Sequence, residues 1–278
     1  MIASIGDLVL NVTITPEGPL RVDDDRDASV EIGGGGQAAN FCAWVASLGE
    51  RARLVTRVGD DEAGRRLVSE IEAAGVEVMA VRGQEPTGAI AVLVGDGGQR
   101  SFARQRGASA NLRQEDLRPA WFEGVRLLHV PAYSLFDEPL AATARRAMDL
   151  TRGGGGLISV DLSSAADLQA YGGSRLALEL ARVRPELLFA TEPESAAIGT
   201  PLQGLAKVPV VKLGSRGCLV FGRRIPAPEV EAVDGTGAGD AFAAAFCAAY
   251  LDGATPPEAA GRAVLVAAGA VARRGARP

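Results

Sequence analysis

The 278-residue sequence contains one histidine, His129. A multi-histidine metal site is therefore excluded. Within the apolar stretch LLHVP this histidine reads as a strand-end residue rather than a catalytic one. Cysteine is also scarce: Cys42, Cys218 and Cys247 are widely spaced and form no CxxC pair. That pattern speaks against a disulfide framework or a zinc site and suits buried free thiols in a reducing compartment. Aromatic residues make up 5% of a chain that is 47% hydrophobic, so Ala, Val and Leu must fill the core. Positive charge is not in excess, with 29 Lys and Arg against 34 Asp and Glu and a net charge of −5. A general nucleic-acid or membrane-surface binder is disfavoured on that ground. The longest apolar stretches, around 241–251 and 263–272, are too short and Ala-rich for a bilayer span. The opening MIASIGDLVLNV has no basic leader, and Asp7 interrupts its apolar run, unlike a signal peptide. A cytoplasmic globular protein with neither nucleic-acid nor membrane partners is expected.

What is present is an alternation. IASIG, ARLVTRVG, RLLHVPA, LISVDL, LLFAT and VPVVKLG read as buried strands. Between them QAANFCAWVASLG, EAGRRLVSEIEAAG, EPLAATARRAMDLTRG and SRLALELARV have helical spacing. Strands alternating with helices predict an α/β fold, a mostly parallel sheet with helices on both faces. Residues 12–32 and 87–106 break the pattern. They look like alternating strands with turns at PEG and GDGG, and predict one small antiparallel sheet covering an edge of the core. Such lids exclude water from a site and complete it on closure.

The segment most charged with chemistry is DGTGAGDAFAAAF, residues 234–246. Glycines at 235, 237 and 239 let the backbone turn tightly with its N–H groups inward, and a helical run follows at once. Free amides and the positive end of a helix then meet at one spot, a cradle for phosphate oxygens. Asp240 inside that cradle would repel an anion unless it takes a proton from an attacking hydroxyl. A tight turn with a helix-start aspartate would write the same string, so GxGxGD alone is weak. No Lys-Ser/Thr follows the glycines, which excludes a Walker loop, and their place near the C-terminus disfavours a dinucleotide fold.

A second motif, GGGGQAANFCAWVASLG, stands near the N-terminus. With RVGDDEAGRRLVSEIEAAGV and VVKLGSRG in order between the two, the chain resembles the ribokinase-like (PfkB) family of carbohydrate kinases over its whole length, as one kinase domain of residues 1–278. The resemblance implies a ribokinase-like three-layer core with a small β lid. It implies ATP-dependent transfer of the γ-phosphoryl group to a hydroxyl of a sugar or sugar-like acceptor. Asp240 would be the base, and the amides of Gly237, Ala238 and Gly239 the anion hole. Asn40 and the backbone of Gly35 and Gly36 would hold substrate hydroxyls, joined by Asp7 and Asn11 at the first strand and by Arg104 and Arg106 of the lid. Lys212, Gly214, Ser215, Gly217 and Thr236 would lie along the nucleotide. Glu194 matches the acidic end of the family's Asn-x-x-Glu motif, which helps hold hydrated Mg2+.

The chain also departs from the family pattern. Thr191 stands in the place of that motif's asparagine, Asn11 where many relatives have a substrate-binding aspartate, and Gly235 where the signature has its threonine. SVDLSSA lacks the arginine that some fructokinase-like relatives place after the corresponding aspartate, which weakens a fructokinase reading. Asp234 and Thr236 with AVARRGARP resemble a loop that binds a monovalent cation in some relatives, so K+ is a candidate cofactor. A nucleoside kinase and a non-catalytic ligand-binding relative stand as alternatives; Phe41, Phe102 and Tyr133 are the ring-stacking candidates. A homodimer through the lids is a further expectation.

Overall fold

The computed structural model describes residues 1–23, 25–95 and 99–278. The chain opens with strand β1 (Ile2–Ile5) and leaves it through the hairpin β2 (Val9–Pro16) and β3 (Ala28–Gly35). Helix α1 (Gln37–Ser47) returns to β4 (Ala52–Gly59), and α2 (Glu62–Ala73) leads to β5 (Val76–Gly83). A second hairpin, β6 (Thr87–Val94) and β7 (Arg100–Gly107), follows. Then come β8 (Leu127–Pro131), α3 (Leu140–Gly153), β9 (Leu157–Asp161), α4 (Ala165–Tyr171), α5 (Gly173–Val183), β10 (Leu187–Thr191) and α6 (Glu192–Ile198). The last part holds β11 (Val208–Lys212), β12 (Cys218–Val220), β13 (Arg223–Ile225), α7 (Ala238–Leu251) and α8 (Pro256–Val271).

The core sheet has the order β13-β12-β11-β10-β9-β8-β1-β4-β5. Its pairs are parallel from β5 to β11, and β12 and β13 close one edge antiparallel. Side chains alternate across a strand, so each strand feeds two cores. Ile2, Leu54, Leu127, Leu187 and Phe189 face Phe41, Ile71, Phe242 and Phe246 on one side. Ala3, Ile5, Leu128, Val130, Ile158 and Leu188 face Ala144, Met148, Leu176 and Leu180 on the other. Burial on both faces is why these strands are continuous apolar runs. The six strand segments and four helix segments expected from the sequence all form. The strand β5 was not expected: VEVMAVRG lies at the sheet edge and is only partly buried.

Two expectations need correction. His129 is in the middle of β8, not at its end, and it is fully buried, its ring stacked on Phe41 with centroids 3.9 Å apart. Burial lowers its pKa to about 4, so it is a neutral core residue. The lid is a sheet of order β3-β2-β6-β7, but it is not purely antiparallel, because β2 and β6 run parallel from Leu10↔Ala89 to Ile14↔Leu93. The reason is connectivity. β2 continues from β1 and β6 from β5, strands that point the same way in the core, so their extensions do too. The lid strands span Val9–Gly35 and Thr87–Gly107, wider than the segments expected. The turn expected at GDGG falls largely on residues 96–98, outside the described residues. At the hinge, Asp61 caps α2 by accepting the Gly64 N–H at 2.7 Å and also accepts the Thr87 N–H at 2.8 Å, so one carboxylate ties the lid to the core.

Candidate active site

Lid and core enclose a cavity of about 610 Å³ over the ends of β1, β9, β10 and β11. In an open α/β sheet this end of the strands is where loops and helix starts converge. The GxGxGD segment forms one wall. Gly237 is the N-cap of α7 with φ 75°, and a Cβ there would run into the Ala276 carbonyl oxygen, so only glycine fits. Gly237, Gly239 and Asp240 line the cavity. Ala238 starts the helix, with its N–H 3.4 Å from Gly235 O.

Asp240, in the first turn of α7, is buried. Burial and then repulsion from Asp161 raise its pKa to about 7, against the pull of Asn40, Lys212 and Gln37. The Asn40 Nδ2 donates to its Oδ2 at 3.1 Å. Lys212 Nζ sits 2.6 Å from Asp161 Oδ2 and 3.4 Å from where a Gly239 Cβ would be, so its charge is aimed at the glycine loop. Burial works against that charge, but Asp161 and Glu194 outweigh it and hold the lysine above its ordinary range. The arrangement is a cation and a carboxylate flanking the start of a helix, which suits binding an anion and accepting a proton beside it.

Glu194 is buried and forms a capping box with Thr191: its Oε2 accepts the Thr191 N–H at 2.7 Å. Burial first, then Asp161, raises its pKa. Both residues line the cavity next to Lys212. Thr191, at the family's asparagine position, is thus the N-cap of α6.

The opposite wall is the lid. Arg100, Phe102, Arg104 and Arg106 alternate on β7 and all face the cavity. Each arginine meets a core carboxylate. Arg106 grips Asp7 with Nη2–Oδ1 2.8 Å and Nε–Oδ2 3.1 Å, and its guanidinium lies 4.6 Å over the Tyr133 ring. Arg104 pairs with Asp167, Nη1–Oδ2 2.6 Å. Arg100 donates to Asp234 Oδ1 at 2.7 Å and to the Thr236 hydroxyl. Asp234 also accepts from Thr236 N at 2.8 Å, Thr236 Oγ1 at 2.6 Å and Gly275 N at 3.1 Å. Burial opposes its charge, but these donors hold its carboxyl well below the usual range.

Of the residues expected at the site, Asp7, Asn11, Gly35, Gly36, Asn40, Arg104, Arg106, Glu194, Lys212, Asp234, Thr236, Gly237, Gly239 and Asp240 line this one cavity. Gly36, with φ 99°, packs against the Asp7 carbonyl where no Cβ has room. Gly214 and Ser215 lie in the exposed turn after β11, with Gly217 leading into β12, away from the cavity lining. Phe41 is not a stacking platform: it is fully buried against His129. Phe102 and Tyr133 do line the cavity. Gln37, Arg100, Asp167 and Arg277 are not singled out by any motif in the sequence. The period-2 spacing of Arg100 with Arg104 and Arg106 was the available signal for one of them.

Comparison with known proteins gives a consistent result. The family model described as pfkB family carbohydrate kinase matches residues 1–278. A fructokinase of Escherichia coli is 33% identical over 230 residues, 76% of this chain and 74% of that protein. An ATP-dependent ribose-1-phosphate kinase of Halopiger xanaduensis is 31% identical over 255 residues, 88% of this chain and 81% of that protein. Among solved structures, the adenosine kinase of Sinorhizobium meliloti superposes with TM-score 0.88 at 26% identity, covering 100% of this chain and 95% of that one. A sugar kinase of Pyrococcus horikoshii in complex with ATP superposes with TM-score 0.85 at 26% identity, covering 99% and 94%.

Proposed function

Given that the chain belongs to the pfkB family of carbohydrate kinases, phosphotransferases with an alcohol group as acceptor, we propose that it transfers the γ-phosphoryl group of ATP to a hydroxyl of a sugar or sugar-like acceptor. The observation that carries this reading is Asp240: a buried carboxylate at the amide-rich start of α7, with Asn40 donating to it and a pKa near 7. A carboxylate at that pKa is ionised in part at neutral pH and still takes a proton readily, the balance a general base needs. The acceptor sits under the lid against Asp7, Asn11, Gly36 and Asn40. Its proton goes to Asp240 as the new O–P bond forms. Lys212 and the amides of Gly237, Ala238 and Gly239 take up the charge on the transferred group.

ATP as donor is supported by the Pyrococcus relative solved with ATP. It would run from Lys212 toward Gly214, Ser215 and Gly217, with Thr236 near its phosphates. A magnesium ion fits the chemistry of Glu194 and the Thr191 hydroxyl, one carboxylate and one alcohol suited to holding an ion through its waters. When bound, it would neutralise phosphate charge. Asp234 does not fit a monovalent cation: Thr236, Gly275 and the Arg100 guanidinium already take up its oxygens. We therefore read Arg100 as the cation of that loop, with no step through K+.

Phe102 and Tyr133 on the cavity wall favour a second reading, a nucleoside acceptor stacked on one of them. A second copy of the chain, meeting the first through the lids, is the partner we propose. Val12, Ile14, Val30, Ala91 and Leu93 share the lid face opposite the cavity by register, and Val30 is 55% exposed. The test of function is ATP consumption with Mg2+ across pentoses, hexoses, keto-deoxy acids and nucleosides. A response from sugars supports the proposal, a response from nucleosides alone supports the second reading, and silence from all of them overturns both.

A further inference from the structure

Arg277 reaches the site from 237 residues away in sequence. The Trp44 indole N–H holds its neighbour Ala276 by the carbonyl at 3.0 Å, and the Gly275 N–H is held by Asp234 at 3.1 Å. From there the guanidinium runs along Gly34, where any Cβ would collide with it. Its Nε–H donates to Asn40 Oδ1 at 3.0 Å, and Nη2 donates to Gly35 O at 3.1 Å. Arg277 does not line the cavity, whereas Asn40 does.

A guanidinium can only donate, and a carboxamide has one accepting and one donating end. Arg277 therefore commits Asn40 Oδ1, and the Nδ2 end must face Asp240, where it donates at 3.1 Å. We propose that Arg277 is a positioning residue for phosphoryl transfer, locking the Asn40 carboxamide so that it meets both Asp240 and the acceptor hydroxyl as a donor only. This rests on the reading of Asp240 as the base. An acceptor oxygen bridging Asn40 and Asp240 then has one arrangement open: it accepts from the second Nδ2 proton and points its own proton at Asp240. As its O–P bond forms and the bond to ADP breaks, the bond pair leaves with ADP and the proton passes to the carboxylate. With the amide reversed, Asn40 Oδ1 would face the carboxylate lone pairs and compete for the acceptor's proton.

The charged and titratable groups around Asp240 are Asp161 from β9, Lys212 from β11, Tyr133 after β8 and Arg277 from the tail, with the neutral Asn40 and Gln37 of α1. Only Arg277 acts on it through Asn40. The experiment is a carboxyl 13C NMR titration of the full chain labelled at aspartate, without ATP or acceptor, with Asp240→Asn identifying the resonance. Arg277→Met and Arg277→Gln are compared with wild type, and thermal melting confirms that each is folded. The expected result is an Asp240 midpoint raised by roughly half a pH unit or more in both variants, since a cation and an oriented donor are lost. Arg277→Gln, close in shape, carries the test if Arg277→Met does not fold. An unchanged midpoint in a folded variant overturns the proposal. The titration reads coupling and not turnover, so it stands apart from the question of whether Asp240 is the base.

Discussion

Replacing Asp240 with asparagine should stabilise the protein above neutral pH, by an amount that the site's electrostatics set. The carboxyl has its ordinary value of 3.8 in the unfolded chain and about 7 in the folded one. Between those values the folded protein holds a proton that the unfolded chain has released. Wild-type stability therefore falls as pH rises through this window, and the loss is complete above about 7. Asparagine does not titrate, so the variant escapes the loss, which at ~1.4 kcal/mol per pH unit comes to about 4.5 kcal/mol as an upper bound. Part is given back. Asn40 and Gln37 both donate to the carboxylate, and an asparagine amide turns one NH2 toward such donors, at a cost of about 1–3 kcal/mol. The net gain is on the order of 1–3 kcal/mol, a few degrees in Tm for a chain of this size. The assay is thermal melting of both proteins from pH 5 to pH 8. Shared titrations cancel in the difference, which should be largest at pH 8 and shrink as pH falls below 7. A difference of constant size across the range would mean that Asp240 is ionised throughout and that its carboxyl is not raised by burial.

Other consequences follow from the same geometry. Gly237→Ala puts a Cβ against the Ala276 carbonyl at a positive φ; it should cost about 1–3 kcal/mol in melting experiments and lower turnover at least tenfold. Turnover should be equal in sodium and potassium buffers, since Arg100 serves Asp234; activation by potassium would show that the loop holds a cation instead. Val30→Glu on the outer lid face should convert a dimer to a monomer in sedimentation, because a charge would be buried there without a partner; a wild-type monomer would remove the lid interface.

The core was readable where burial is symmetrical. VPVVKLG and LLFAT are buried on both faces and announce themselves as strands, whereas β5 carries Glu77 and Arg82 on a partly exposed edge and does not. The parallel pairing of β2 with β6 depends on connectivity rather than on any local pattern. The site divides in the same way. Asp240 and its glycines are neighbours in sequence and form a motif, as do Gly35, Gly36 and Asn40. Arg277 acts on Asn40 across 237 residues and Arg100 on Asp234 across 134, so neither partnership is written in a local string. Arg104 and Arg106 were readable as residues facing the site, but not as partners of Asp167 and Asp7.

Rapid-quench transfer of labelled γ-phosphate shows whether Asp240 takes the acceptor's proton. Wild type and Asp240→Asn are compared with the acceptor that the substrate panel identifies, with ATP affinity measured alongside. The rate should be lower by roughly 10²–10⁴-fold in the variant, the range for losing a general base, with ATP affinity little changed. A variant that transfers phosphate within a few-fold of wild type would rule out Asp240 as the base.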